Sequence, residues 1–212
     1  VREALRLTGI ESGVEITTIA DIPGQGTGLG SSSSVTVGLL NAMHAFQGRE
    51  ASKDQLAEEA CQIEIDTLGA PIGRQDQYAA SFGGVNSIRF GKNGVQVEPI
   101  EVSEGMSKKF SENFTLVFTG MTRSASKVLS KQSDDESDKN NRMREIRKHA
   151  DEAASFIQQG DLDSLGAILN QTWMSTRGVS SMITNTQIDD LYESAISSGA
   201  IGAKLLGAGN GG

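Results

Sequence analysis

The sequence predicts an α+β protein of two lobes, with helices packed on mixed sheets in the first and a second sheet returned by the other. Three observations carry this. A glycine-rich loop stands between a strand-like alternation and a helix-like stripe, which is the order strand, loop, helix. A second alternating pair flanks Asn93-Gly94, a short-range hairpin signal. The polar stretch Ser103 to Glu112, which shows no strong periodicity, then separates residues 1–103 from residues 104–212 as the boundary between lobes.

In chain order, Val1, Ala4 and Leu5 have helical spacing that stops at Gly9, and Val14 to Ile19 alternates as a strand does. Asp21 to Ser34 (DIPGQGTGLGSSSS) is the glycine loop. Val35, Leu39, Ala42, Met43 and Phe46 follow as an apolar stripe on the next helix. Ser52 to Gln55 (SKDQ) matches a capping box opening a helix that runs to about Thr67. Leu68 to Gln77 is a Gly and Pro loop, Val85 to Phe90 and Val95 to Pro99 are the hairpin arms, and Phe114 to Thr119 restarts as a short buried strand. Lys131 to His149 is a charged helix face backed by Met143, Ile146, Ala150, Ala153 and Ile157. Asp161 caps a helix through Trp173, and Thr186 to Ser197 forms another before the ending Ala200 to Gly212. No repeat of 20 to 50 residues is visible, which excludes solenoids and propellers.

Composition narrows the function classes. Of 212 residues 25 are glycine, so several backbone stretches must turn sharply or approach something closely. The net charge of −8 has the wrong sign for counterion release from a nucleic acid. One cysteine, Cys61, permits neither an intrachain disulfide nor a multi-cysteine zinc site and fits a reducing, cytoplasmic compartment. No apolar run reaches the length of a membrane helix. A start without Met and an end at Gly211-Gly212 are what a fragment would show.

Pro23 to Ser34 carries the strongest chemical signal. Glycines let successive N–H groups converge without Cβ obstruction, and the following helix adds unpaired donors and the positive end of its dipole. The loop therefore reads as a phosphate cradle through Gly26, Gly28, Leu29, Gly30, Ser31, Ser32, Ser33 and Ser34, or alternatively as a flexible Gly/Ser loop or cap. It is not a Walker loop, since no Gly-Lys followed by Ser or Thr is present. Nor does it have the spacing of the dinucleotide fingerprint G-x-G-x-x-G. His44 and His149 lack partners at metal-ligand spacing, Cys61 falls on the buried side of its helix as an inert thiol, and Trp173 reads as core.

Pro23-Gly24-Gln25-Gly26-Thr27-Gly28-Leu29-Gly30-Ser31-Ser32-Ser33 resembles the P-x-x-x-G-L-G-S-S-A motif of the GHMP small-molecule kinases, with Pro23 offset and Ser33 where Ala is common. Pro71 to Tyr78 (PIGRQDQY) resembles the loop carrying that family's catalytic aspartate, and Lys204 to Gly212 (KLLGAGNGG) its third motif. Within the family, Glu64 to Gly73 and Phe118 to Ala125 most resemble the bacterial D-glycero-D-manno-heptose 7-phosphate kinases. The resemblance spans essentially the whole chain, read as a fragment without the family's first motif and C-terminal end.

The resemblance implies an ATP-dependent kinase that transfers the γ-phosphate to a hydroxyl of a heptose 7-phosphate. Asp76 would be the catalytic carboxylate, Ser32 and Glu64 the magnesium ligands, and Gly207, Ala208 and Gly209 further nucleotide contacts. It also implies a small-molecule sugar phosphate as partner, with neither nucleic acid nor membrane. Arg74 and Arg123 are loop cations within reach of a sugar phosphate. The alternatives are a galactose- or fucose-type kinase of the same family, or a nucleotide-binding sensor without turnover.

Overall fold

A computed structural model describes residues 1–20, 27–121, 136–207 and 209–211. The α+β class holds. Helix α1 (Arg2–Thr8) ends at Gly9, whose φ of 74° lets its N–H turn back onto Arg6 and Leu5 carbonyls. Then come α2 (Ser31–Phe46) and α3 (Lys53–Cys61), the latter continuing without a break into a π-helical turn at Gln62–Thr67. Next are α4 (Gln75–Phe82), β1 (Asn86–Gly91), β2 (Gly94–Pro99) and α5 (Glu104–Asn113). Helices α6 (Glu136–Gln159), α7 (Leu162–Arg177) and α8 (Thr186–Ser197) complete the order.

Side-chain caps explain where the helices begin. Ser52, Ser103, Asp161 and Asn185 each accept a hydrogen bond from the backbone N–H three residues on. The box expected at Ser52 is only half made, because the Gln55 side chain reaches forward, donating to Glu59 at 2.7 Å, rather than back to accept from the Ser52 N–H. Residues 104–113, although without a strong period in the sequence, are helical. The Ser103 cap starts α5, which buries Met106 while exposing most of its other side chains, and that narrow apolar strip hid the helix from a periodicity argument.

The sheet of the described residues is one antiparallel hairpin, β1 with β2, in register from Asn86 opposite Pro99 to Gly91 opposite Gly94. Lys92 and Asn93 are therefore the turn, one residue earlier than the expected Asn93-Gly94. Neither adopts a positive φ; Gly94 does, at 116°, and absorbs the left-handed step. Residues 14–19 and 114–119 form no ladder. Their side chains show why: Ile19, Leu116, Val117 and Phe118 are all exposed, and a strand without a neighbour has no hydrogen bonds to gain.

Three clusters make the core. The first joins α1, α2, α3 and the π turn through Ala4, Val37, Leu40, Met43, Leu56, Ala60 and Ile63. The second packs the hairpin on α3 and α4 through Ala57, Cys61 and Tyr78. The third gathers Trp173, Ile188 and Tyr192 with Met121, Ile183 and Leu205. Trp173 is core as expected, at 1% exposure, with Arg177 stacked over it and over Tyr192. Helix α2 departs from expectation, since its buried face is Ser33, Val37, Leu40, Met43 and His44. Val35 and Phe46 of the expected stripe are exposed. Likewise Met143, on the expected inner face of α6, is half exposed. Arg89 of β1 pairs with Asp151 of α6 at 2.9 Å, tying the hairpin to the later helices.

Two glycines give a test of this packing. A Cβ on Gly202 would fall on the Gly166 carbonyl oxygen of α7, far inside contact distance, whereas one on Gly38 in the exposed face of α2 would meet nothing within 4 Å. Gly202→Ala should destabilise by about 1–3 kcal/mol as overpacking does. Gly38→Ala should stabilise by about 0.5–1 kcal/mol through helix propensity. Urea unfolding of both variants measures the two signs.

Candidate active site

The glycine loop and α2 meet as the sequence order requires. Gly28 and Gly30 both sit in the left-handed region, at φ 74° and 66°, and Gly30 is the N-cap of α2. The first intrahelical bond is Ser34 N–H to the Gly30 carbonyl at 3.0 Å. The N–H groups of Ser31, Ser32 and Ser33 precede it and have no intrahelical acceptor, and no side chain caps them. Ser34 offers only its hydroxyl. The Ser31 hydroxyl lies 3.2 Å from that of buried Thr27. Gly26, like Ala208 and Arg123, lies outside the described residues.

The other predicted residues converge on this helix end. Asp76 stands in the first turn of α4, not in a free loop. A Cβ on Gly30 would come to 3.3 Å from Asp76 Cγ and 3.5 Å from its Oδ2. The carboxylate is thus laid against the cradle, and glycine is needed there for space as well as for φ. Glu64, in the π turn, is 3% exposed. Ser32 Oγ donates to its Oε1, joined by Thr36 Oγ1 at 3.4 Å. Ser33 Oγ at 2.7 Å and Gln77 Nε2 at 2.6 Å donate to its Oε2. In the wider π turn the consecutive side chains Ile63 and Glu64 are both buried.

No arginine, lysine or histidine pairs with Glu64 among the described residues. A buried carboxylate held only by neutral donors is a site for a cation. No group of three or more His, Cys, Asp or Glu gathers among the described residues, so an ion at Glu64 would draw its remaining ligands from hydroxyls, water and phosphate oxygens. That donor set suits magnesium. A cavity of about 500 Å³ opens here, lined by Ser31, Ser32, Thr36 and Glu64 with Val35 and Leu39. A larger one of about 650 Å³ lies along α3 beside Glu58, Glu59, Asp66 and Arg74. It lacks the free helix end, and its lining of Glu58, Glu59 and Asp66 is acidic, so the smaller cavity is the candidate site.

Two readings change with the geometry. The Ser33 side chain is 2% exposed and committed to Glu64, so only its N–H faces a ligand. Arg74 turns away from the site to pair with Glu58 and to stack over the Tyr78 ring at 5.8 Å. Burial and the hydrogen bond Tyr78 donates to Glu58 hold its phenol well above the ordinary range. The histidines join no metal-ligating group among the described residues: His44 bonds Glu59 at 2.7 Å and His149 bonds Thr172 at 3.1 Å. Cys61 is 4% exposed, and burial pushes its thiol pKa up, in keeping with an inert role. Gln77 and Thr36 were missed; an amide directly after Asp76 and a hydroxyl four residues after Ser32 are signals only once the π turn is known.

The ending is built separately. Gly209 packs on the Ile183 backbone, where a Cβ would come to 2.9 Å, and Asn210, at φ 59°, donates its N–H to the Ile183 carbonyl at 2.7 Å. Asn185, the cap of α8, donates to the Asn210 side chain at 2.7 Å. Gly207 is exposed at φ 73°. Burial without a counterion depresses the pKa of Lys204, just before this turn.

Comparison with known proteins follows the same division. The GHMP kinases N terminal domain matches residues 1–84, and the GHMP kinases C terminal domain matches residues 153–212. The chain is 32% identical over 198 residues to a D-glycero-alpha-D-manno-heptose 7-phosphate kinase of Campylobacter jejuni, covering 92% of this chain and 58% of that one. A mevalonate kinase of Pyrococcus horikoshii is 29% identical over 227 residues, covering all of this chain and 63% of that one. The crystal structure of a D-glycero-D-manno-heptose 1-phosphate kinase from Bacteroides thetaiotaomicron superposes with a TM-score of 0.75 at 26% identity, over 97% of this chain and 58% of that one. The chain thus spans about six-tenths of the length of these relatives. With both domain models matched in order, and with the glycine loop, Glu64 and Asp76 drawn to one helix end, the chain belongs to the GHMP kinase family.

Proposed function

We propose that this chain carries the phosphoryl-transfer site of an ATP-dependent kinase acting on a hydroxyl of a phosphorylated heptose, within lobes of residues 1–103 and 104–212. The observation that carries the reading is the placement of the Asp76 carboxylate against Gly30, at the mouth of the unpaired α2 N–H groups. Similarity to two kinases named for phosphorylated heptoses supports the acceptor class. A galactose- or fucose-type acceptor is the second reading within the family.

Each residue then has a task. The N–H groups of Ser31, Ser32 and Ser33 bind phosphate oxygens at the positive end of α2, with Gly26, Gly28 and Leu29 shaping the approach and Gly207, Ala208 and Gly209 adding backbone contacts. Magnesium held by Ser32 and Glu64 would neutralise charge on the transferring phosphate. Asp76 accepts the proton of the acceptor hydroxyl as its oxygen bonds to the γ-phosphorus and the bond to the ADP oxygen breaks, so that ADP leaves with that electron pair. A sensor that only bound nucleotide would have no use for a carboxylate at that point. The reaction places the protein in the cytoplasm with ATP.

Three measurements test this. In an ADP-release assay offering the heptose 7-phosphate, the heptose 1-phosphate, galactose, fucose and mevalonate, a phosphorylated heptose should give the highest kcat/KM. A tenfold preference for any other acceptor overturns the substrate class, and ATP binding without turnover on any of them favours the sensor. Asp76→Asn should lower kcat by about 10²–10⁴-fold. Its ATP dissociation constant should stay within about threefold, which calorimetry checks. Gly30→Val should weaken ATP at least about tenfold, or 1.4 kcal/mol. Unchanged ATP affinity there would remove the α2 cradle from the mechanism.

A further inference from the structure

Gln77 is fully buried, at 0% exposure, one residue past the carboxylate assigned to proton transfer. Its amide nitrogen donates to Glu64 Oε2 at 2.6 Å, while its Oε1 is buried with no hydrogen-bond partner. Leaving a buried carbonyl unpaired is unfavourable. Rotating the amide would only set that oxygen against the carboxylate, so Glu64 dictates the orientation. Ser33, at 2% exposure, adds a second donor to the same oxygen from the opposite element, α2.

The two carboxylate oxygens therefore have unequal surroundings. Oε2 is closed in by groups that are both buried and come from two different helices. Oε1 has the hydroxyls of Ser32, which is exposed, and of Thr36, at the longer distance of 3.4 Å. Ser32, Thr36 and Glu64 all line the cavity, while Ser33 and Gln77 do not.

We infer that Ser33 and Gln77 are positioning residues, a two-donor clamp that immobilises Glu64 Oε2 and presents Oε1 to a divalent cation in the cavity. This rests on the proposed reading of Glu64 as a metal ligand. The clamp donates to the charged carboxylate without neutralising it, which a lysine or arginine in the same place would do. It also fixes the rotation of the carboxylate, so the ion binds without first ordering its ligand.

Manganese affinity in the presence of ATP, read from the electron paramagnetic resonance signal of the free ion, tests this apart from turnover. Gln77→Leu removes the donor at similar size and Ser33→Ala removes the other with little volume change. Each should weaken manganese at least about tenfold, the cost typical of losing a partner of a metal ligand. Each should also raise the magnesium concentration at half-maximal rate by a similar factor, with the acceptor KM unchanged. Melting curves identify a variant that fails to fold, in which case Ser33→Ala decides alone. Manganese affinity within twofold of the parent in a folded variant overturns the clamp. Glu64→Gln separates the two levels: if it too leaves manganese affinity intact, the metal reading itself falls, and if it alone abolishes affinity, only the clamp does.

Discussion

A carboxylate buried without a counterion among the described residues is the constraint on which this structure turns. Glu64 is almost fully buried and surrounded by neutral donors. The desolvation cost of such a group is met only if those donors are held in place. Holding them requires that the start of α2, the π turn and the start of α4 come to one point. Once they do, the free N–H groups of α2 and the Asp76 carboxylate are neighbours, because Asp76 is adjacent to Gln77 and Ser33 is two residues from Ser31. The site and this part of the fold thus have the same origin.

The same constraint explains which face of α2 turns inward. Apolar side chains occur on both sides of that helix, and the stripe through Val35 and Phe46 was as good a candidate as the one through Val37 and Leu40. Polar residues decide between them. Ser33 at one end and His44 at the other reach Glu64 and Glu59, both on the segment formed by α3 and its π turn, so the helix is fastened at two points about three turns apart. Only the face carrying both can be buried. Periodicity counts apolar positions and ignores hydroxyls and imidazoles, so it could not have chosen correctly.

Elements with a local cause were legible in the sequence. Gly9 stops α1, Ser52 and Asp161 start their helices, and the alternation on either side of Asn93 makes a hairpin, each from chemistry within a few residues. Elements with a distant cause were not. Residues 14–19 and 114–119 alternate or run apolar as strands do, yet a strand exists only where a neighbour pairs with it, and nothing within those segments says whether one does. The site divides the same way. Motif resemblance pointed to Ser32, Glu64 and Asp76, which the structure brings to one helix end, but Thr36, Ser33 and Gln77 acquire their partners only through the π turn, a feature without a propensity signal. Arg74 failed for the complementary reason: a loop arginine is free to choose among anions, and Glu58 with the Tyr78 ring lies closer to hand than the cavity.

Electrostatics sets what the site must bring in. The cavity's one arginine, Arg2, is exposed and paired with Glu3, so among the described residues no unpaired cation lines it. A nucleotide's phosphates would enter beside two carboxylates, in a chain of net charge −8. Dipolar N–H groups offset part of that repulsion, each helix-end interaction contributing typically 0.3–1 kcal/mol. Like charges at such separations oppose it with about 4 kcal/mol at 4 Å for an effective dielectric near 20. The helix end alone therefore cannot hold a triphosphate against Asp76 and Glu64. On the proposed reading a divalent cation would reverse the sign of the Glu64 term, so that nucleotide and metal binding would depend on each other at this site. In the proposed reaction Glu64 thus turns from an obstacle to phosphate into the group that would recruit its counterion, leaving Asp76 to take the proton of the acceptor hydroxyl.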